Sequence, residues 1–578
     1  MNTAFPTVEH EADLCVVGGG LAGLCAAVSA ARHGARVLLM QDRPMLGGNA
    51  SSEIRMWVCG AHGDNNRETG LLEEISMDNM ARNPDKNYSI WDGILYEKAR
   101  YQPGIELLLN CTCLDAEMAG SSIAAVTGWQ MTTQTFHHVR ARLFADCSGD
   151  SVLAPLTGAA FRVGREARDE FGEDIAPERA DAKTMGMSVL IQARQEDHPS
   201  TFTPPAWAHR YSREDLLPYR LPNMEDETEN FWYIELGGEG DAIRDAEAVR
   251  DELLRVAYGV WDYVKNAPEN REKNANWRLD FLGILPGKRE SRRYVGDHIL
   301  TQNEVRAGGA FADIVAYGGW TMDDHDPAGF ASKGAPNIFH PAPSPFGIPY
   351  RCLYSRNVEN LFFAGRNISV THTAMSASRV MATCALLGQA VGTAAAVAIQ
   401  RGTTPRGVYA EHIRQLQDLL QEDDCYLPGL PRRVSRLGSL AADWEVLRNG
   451  WDRPIGGADN GAHAALGQAV TFTFAGPTRV RELRAVFDSD LNRAAYPHEL
   501  GRNMICNRRL GLPDAFVPPS MVRAFRVEDE SGRVLLQEEN NWQRLYRAEL
   551  DAVVRELRFV PTATWGAPDA HLFALEVR

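Results

Sequence analysis

Four glycines stand in the run Gly18-Gly19-Gly20-Leu21-Ala22-Gly23. The apolar stretch Asp13 to Val17 precedes them, and LCAAVSAARHG follows with helical spacing up to Gly34. ARVLLMQD then reads as a second buried strand, so the loop lies in a βαβ unit. In that setting Gly18 allows a tight turn, Gly20 lets the backbone approach a pyrophosphate, and Gly23 lets the helix pack closely on the strand. The helix N-terminus, which begins with Leu21 and Ala22, meets the phosphate charge. A ribose-binding acid is expected about 20 residues further on. Gln41 stands there, followed by Asp42 and Arg43, and either the Gln41 amide oxygen or the Asp42 carboxylate suits a ribose hydroxyl. Gly47 and Gly48, inside Pro44 to Ser51, form a second close-approach pair.

Four motifs recur in order: Gly47 to Glu53 (GGNASSE), Asp146 to Asp150 (DCSGD), Lys288 to Arg293 (KRESRR) and Leu361 to Arg366 (LFFAGR). With the glycine loop, they make the chain resemble the FAD_oxidored family of two-dinucleotide-fold flavoproteins over about residues 10 to 425. Lys288 stands where that family carries Pro. The resemblance implies one FAD, lying extended across the first domain, with Gly18, Gly20 and Gly23 at the pyrophosphate. It implies Gly47, Gly48, Asn49 and Ser51 along the ribityl and flavin, and Cys113 approaching adenine through its backbone. Ser148, Gly149 and Asp150 close that end, and Gly365 and Arg366 meet the pyrophosphate–ribityl stretch. Many flavoproteins carry Asp where Arg366 stands; a guanidinium there suits a phosphate.

A flavin supplies the redox chemistry, so the protein must position a substrate and move a proton. His372, six residues after Arg366, and His62, after the Gly47-Gly48 loop, are the first candidates for a base, with Tyr350 third. A helix expected from about Ser376 would disfavour imidazolium at His372, leaving it neutral and basic near pH 7. Arg289, Arg351, Trp320 and His325 are candidate substrate contacts; for the arginine cluster at 289–293, salt bridges to acidic groups are the competing role. The expected reaction is hydride transfer between flavin and a polar small molecule, a sugar or sugar acid fitting that class. Two alternatives are a flavin monooxygenase or reductase fed by NAD(P)H, and a carbohydrate-binding or scaffold protein with a vestigial flavin fold. No second glycine fingerprint for NAD(P)H is visible, and the intact loop speaks against a vestigial fold.

The elements that must hold these residues give an α/β class. The expected parts are a Rossmann-like FAD-binding domain (10–165 and 336–425), an inserted α+β substrate or cap lobe (166–335), and a C-terminal antiparallel β-sandwich (440–578). Single strands are expected over 105–113 and 358–366, and one helix over 376–399. CYLPGLPRR, from Cys425, has the Pro and Gly spacing of a linker. Four tryptophans beyond it (Trp444, Trp451, Trp542, Trp565) suit a sandwich core better than a sugar platform.

The 578 residues are 44% hydrophobic and 24% charged, an ordinary globular mix. A formal charge of −16 speaks against nucleic acid or anionic lipid as partner. No apolar run of bilayer length and no basic leader are read from the sequence, and ten dispersed cysteines suit a reducing cytoplasm. Cys111 and Cys113 lack the further ligands of a zinc site, so no metal is expected; a homo-oligomer is compatible with the composition.

Overall fold

The computed structural model describes residues 4–226, 228–437, 444–493 and 504–578. The onset of the sandwich expected at 440 lies outside the described residues. The chain forms two compact units: Met1–Ala61, Lys86–Leu416 and Arg502–Pro513 in one, and His62–Asp85, Gln417–Gly501 and Asp514–Arg578 in the other.

The first unit is built on a sheet of β1 (Thr7–Val17), β2 (Val37–Met40), β3 (Ile105–Leu108), β4 (Cys111–Ala119), β5 (Ser122–Gln130), β6 (Thr135–Asp146) and β7 (Leu361–Phe363). Its order is β3-β2-β1-β6-β5-β4, with β7 also on β6. β1 is parallel to β2 and β6, because DLCVV is buried on both faces and the βαβ crossover returns the chain in the same direction. β6 carries two partners on its other edge: β5, antiparallel, along its first half, and β7, parallel, at 144–146. The C-terminal ends of β1, β2, β6 and β7 therefore meet at one edge, where open α/β sheets bind their ligands.

α1 (Leu21–Arg32) lies against the later helix α3 (Met381–Arg401), and α2 (His372–Ser378) precedes α3. The α1–α3 contact is backbone-close: a Cβ at Gly388 would sit 2.0 Å from the Ala22 carbonyl oxygen, and one at Gly392 2.1 Å from that of Ala26. α3 corrects the reading that no stretch is apolar enough to cross a bilayer. It passes by length and composition, because a helix buried on every side also carries no charge, and nearly all of it is buried in this unit.

Three element boundaries also differ from the sequence reading. The strand expected over 105–113 is two, because Asn110 turns through a left-handed φ of 54° and lets the Cys111 N–H reach the Gln41 carbonyl. The helix expected over 376–399 begins at His372, capped by the Thr371 hydroxyl, and breaks at extended Val380. There the Arg379 guanidinium turns to Asp323 and the Ala382 N–H bonds the Cys59 carbonyl. The strand expected over 358–366 is only the three residues of β7.

The segment 166–335 packs within this same unit. Helix Ala246–Asn266 sets Leu253, Val256, Val260 and Trp261 against Ile191, Ala193 and Trp277 of the antiparallel strands Ile191–Gln195 and Trp277–Leu282. Strand Met322–His325 pairs antiparallel with Asn337–His340.

The second unit is a six-stranded antiparallel sheet. Its strands are β8 (Ala462–Ala465), β9 (Val470–Phe487), β10 (Val522–Asp529), β11 (Val534–Glu538), β12 (Leu545–Thr564) and β13 (Asp569–Val577), in the order β8-β13-β9-β12-β10-β11. Helix Leu71–Arg82 belongs here: Met77 and Met80 join Leu483, Phe487, Val522 and Phe525 in the core. Glu73 and Arg493, both buried, form a two-pronged ion pair at 2.6–2.8 Å. Trp444, Trp542 and Trp565 pack against this core.

Candidate active site

The glycine loop leaves the end of β1 and opens α1. Gly18 has a left-handed φ of 101°, and a Cβ there would lie 2.5 Å from the Ser148 nitrogen. A Cβ on Gly23 would lie 1.8 Å from the Gly18 oxygen. Gly20, the α1 N-cap, differs: its Cβ would meet only the Gly48 Cα, at 3.9 Å. The space above Gly20 is thus open, flanked by Gly48. Nothing acidic stands in the first turn of α1 and no side chain caps it, so its positive end is uncompensated.

Gln41 does not face a ribose. Its oxygen accepts from the Gly19 N–H at 2.6 Å and its nitrogen donates to the Met45 carbonyl at 3.0 Å, tying the two glycine loops together. Both ends of this buried amide are used in the backbone, which leaves exposed Asp42 as the acid at the end of β2. Arg43 lies 3.4 Å from Glu53. Cys113 is buried on β4 opposite Gly128, its thiol pushed up to about 12 by burial.

At the ends of β6 and β7, Ser148 turns back to Asp146 through its N–H and hydroxyl. The Arg366 guanidinium rests on Gly149, where a Cβ would be 2.6 Å away, and binds Asp150 at 2.7 Å. Lys288 binds the same carboxylate at 2.8 Å, and Ser291 donates to it at 2.8 Å. Burial opposes ionisation of Asp150, but Arg366 and Lys288 hold it at about 2. Two cations thus share one anion, leaving a surplus positive charge. Asn49 reaches this group through the Lys288 carbonyl at 3.2 Å, and Ser51 donates to the Gly48 carbonyl.

The residues of this edge fit a dinucleotide. Arg366 Nε and both polar atoms of the fully buried Asn367 lack hydrogen-bond partners. Buried polar groups of this kind are normally satisfied, and a phosphate or ribityl chain over the open Gly20–Gly48 groove supplies acceptors and donors. Gly18, Gly20 and Gly48 would hold it with Asp42, Arg366 and Asn367.

The KRESRR run links this edge to a second cluster. Lys288 and Ser291 turn to Asp150, while Glu290, fully buried, turns the other way to His372 Nδ1 at 2.9 Å and to Arg293. His372 Nε2 lies 3.1 Å from Asp324 Oδ1, and the His372 N–H donates to Glu166. Arg293 also binds Glu166 at 2.7 Å. Burial disfavours charge on His372, yet the Glu290 and Asp324 carboxylates overcome it and push its pKa up to about 10. This corrects the neutral base read from the sequence: direct contacts on both ring nitrogens outweigh the field of a seven-residue helix. Asp324 is the one member of the trio that reaches the surface, its side chain 24% exposed against 3% for His372 and 0% for Glu290.

The other candidates are spread out. His325 sits on the opposite face of its strand from Asp324, held by Glu235 at 2.6 Å and Asp323 at 3.3 Å. Arg289 pairs with Glu235 at 3.4 Å and donates to Ser188 and the Trp232 carbonyl, so it serves the lobe. Arg351 is clamped two-pronged on Asp313, and buried Tyr350 donates to the Pro405 carbonyl, which removes it as an acid–base candidate. Trp320 is half-buried beside Gly319, which abuts Ala61 and Ser344. His62 is exposed and belongs to the second unit. The sequence marks Asp324 only as part of the polar cluster Trp320 to His325, and gives Glu290 no role of its own. A carboxylate inside a basic run and a doubled Asp in MDDH were the available signals.

The sequence matches the family described as FAD dependent oxidoreductase over residues 13–420. The chain belongs to that family. It is an FAD-dependent oxidoreductase with a small-molecule substrate. No curated protein matches its sequence. Among solved structures, a geranylgeranyl bacteriochlorophyll reductase-like protein from Thermoplasma acidophilum is similar at 12% identity. The match covers 72% of this chain and 85% of that one, with a TM-score of 0.31. A p-nitrophenol 4-monooxygenase from Pseudomonas putida is similar at 13% identity, covering 73% and 91%, with a TM-score of 0.30. A flavin-dependent brominase is similar at 12%, covering 71% and 87%, with a TM-score of 0.33. At such scores the overlap is too loose to add to the family match.

Proposed function

We propose that the oxidoreductase moves a hydride between its flavin and a hydroxyl-bearing small molecule, with Asp324 as the group that takes up the substrate's proton. FAD supplies the two-electron chemistry when bound. A carbinol that gives up its hydride must also lose its hydroxyl proton, and in this reading Asp324 accepts it. His372 Nε2–H orients the carboxylate through Oδ1, and Glu290 keeps the imidazole charged. The observation that carries the reading is this trio, buried at Glu290 and open at Asp324. The Arg165 guanidinium, whose charge acts on Asp324, favours a polar substrate, and a sugar or sugar acid is the class we assign.

Anaerobic mixing with a panel of sugars, uronates and hydroxy acids, followed at the flavin absorbance, tests this. One class should bleach the flavin, and Asp324→Asn should slow bleaching by about 10²–10⁴ with FAD content unchanged. Rapid bleaching by NADPH, with none from the panel, would replace the reading with a pyridine-nucleotide-fed monooxygenase or reductase.

A further inference from the structure

In the second unit, β8 is the edge strand of the sheet and pairs with β13, bringing His463 directly opposite His571. Their rings stack with centroids 4.1 Å apart and planes 11° apart. Both Nε2 atoms converge on one carboxylate: His463 is 3.0 Å from Asp459 Oδ2 and His571 3.1 Å from Asp459 Oδ1. Both Nδ1 atoms face a different carboxylate, His463 that of Asp569 at 2.8 Å and His571 that of Asp488 at 3.2 Å.

We infer that Asp459, His463 and His571 form a site for a divalent transition-metal ion of the zinc type. Ligating atoms of the three residues lie within 4.8 Å of one another, close enough for small rotations to bring each to the roughly 2.0–2.2 Å of a zinc bond. A ligating histidine typically donates its other ring N–H to a carboxylate, which fixes the tautomer and leaves the facing nitrogen as a lone-pair donor. Here both histidines have that carboxylate. Two nitrogens and one oxygen suit zinc and its neighbours rather than calcium or magnesium. Gly461 belongs to the design, since a Cβ there would stand 2.0 Å from His571 Nε2. With three protein ligands, the fourth position falls to water or an external ligand. None of this forms a motif, because His571 is 108 residues from His463 (571 − 463).

The test uses the full-length, FAD-loaded protein after dialysis against chelator, titrated with Zn²⁺ alone and followed by calorimetry and elemental analysis. One Zn²⁺ per chain should bind, with a Kd of about 1 µM or tighter. His463→Ala, on the exposed edge strand, should abolish that binding while leaving flavin content and spectrum unchanged. Asp488→Asn, which removes only the group behind His571, should weaken it by about 10–100-fold. The inference is overturned if the chain takes up no Zn²⁺, or if uptake survives His463→Ala. Far-UV circular dichroism and the thermal melt report folding of the C-terminal sheet in each variant, so a collapsed variant is not mistaken for a lost site.

Discussion

Single residues separate holding the cofactor from holding the fold. Gly20→Val adds a side chain over open space, so the protein should fold normally and purify without yellow colour. Gly23→Ala drives a methyl into the Gly18 carbonyl and should destabilise the fold by at least the about 1–3 kcal/mol typical of overpacking. Thermal melts and FAD content, measured together, distinguish the two, and full flavin in Gly20→Val would refute the cofactor assignment. His372 belongs to this scale as well. It titrates near 6.5 when unfolded and at about 10 in the fold, so its contribution to stability is complete below about 6.5 and is lost as pH rises through about 10. Glu290 acts in the opposite sense. Buried yet held down by His372 and Arg293, it contributes above its ordinary 4.5 and loses that contribution as pH falls. The gap in melting temperature between wild type and His372→Asn should therefore be widest between these limits and narrow in alkali. A gap that widened with rising pH would mean that His372 is neutral in the fold.

At the scale of elements, α1 and α3 meet without intervening side chains at Gly388 and Gly392. Gly388→Leu should cost more than the about 1–3 kcal/mol of ordinary overpacking, because the opposing group is a helix carbonyl that cannot turn aside. An unchanged urea midpoint would show that the helices can separate. The βαβ unit, its glycine loop and the return of β7 were legible because buried parallel strands are short apolar runs and the loop residues are local in sequence. The break at Arg379–Val380 was not legible: a guanidinium leaves its helix for Asp323, 56 residues earlier (379 − 323), and no local pattern records that. The role of Gln41 was open in the sequence for a similar reason. Its amide suits a ribose or a loop equally well, and only the positions of Gly19 and Met45 decide. The trio around His372 draws its members from three separate segments, so the sequence could nominate the histidine but not its charge.

At the scale of the whole molecule, the second unit recruits residues 62–85 across more than 300 residues of chain (417 − 85 = 332). Met77 and Met80 lie in its core, and Trp542 donates to Asp78 at 2.9 Å. The stretch Cys425–Arg433, read from the sequence as a linker, is instead part of this unit: Leu427 is buried and Arg432 is ion-paired with Asp452 at 2.9 Å and with Glu576. Cutting the chain there should therefore nick the protein without releasing the C-terminal sheet. Both fragments should co-elute on native gel filtration and part only in denaturant. Separate elution would show that helix Leu71–Arg82 contributes little to that core.

The contact of α1 with α3 also sets a timetable for synthesis. From Arg32 to Met381 the ribosome adds about 350 residues, which at about 5–20 residues per second takes roughly 20–70 s. For that interval α1 has no α3 to cover it, and for about 215 residues of it (361 − 146) the end of β6 has no β7 beside it. The nascent chain carries an apolar helix face at α1 and an open parallel edge at the end of β6 until its last third emerges, so slowed translation or scarce chaperone should lower the yield of this protein.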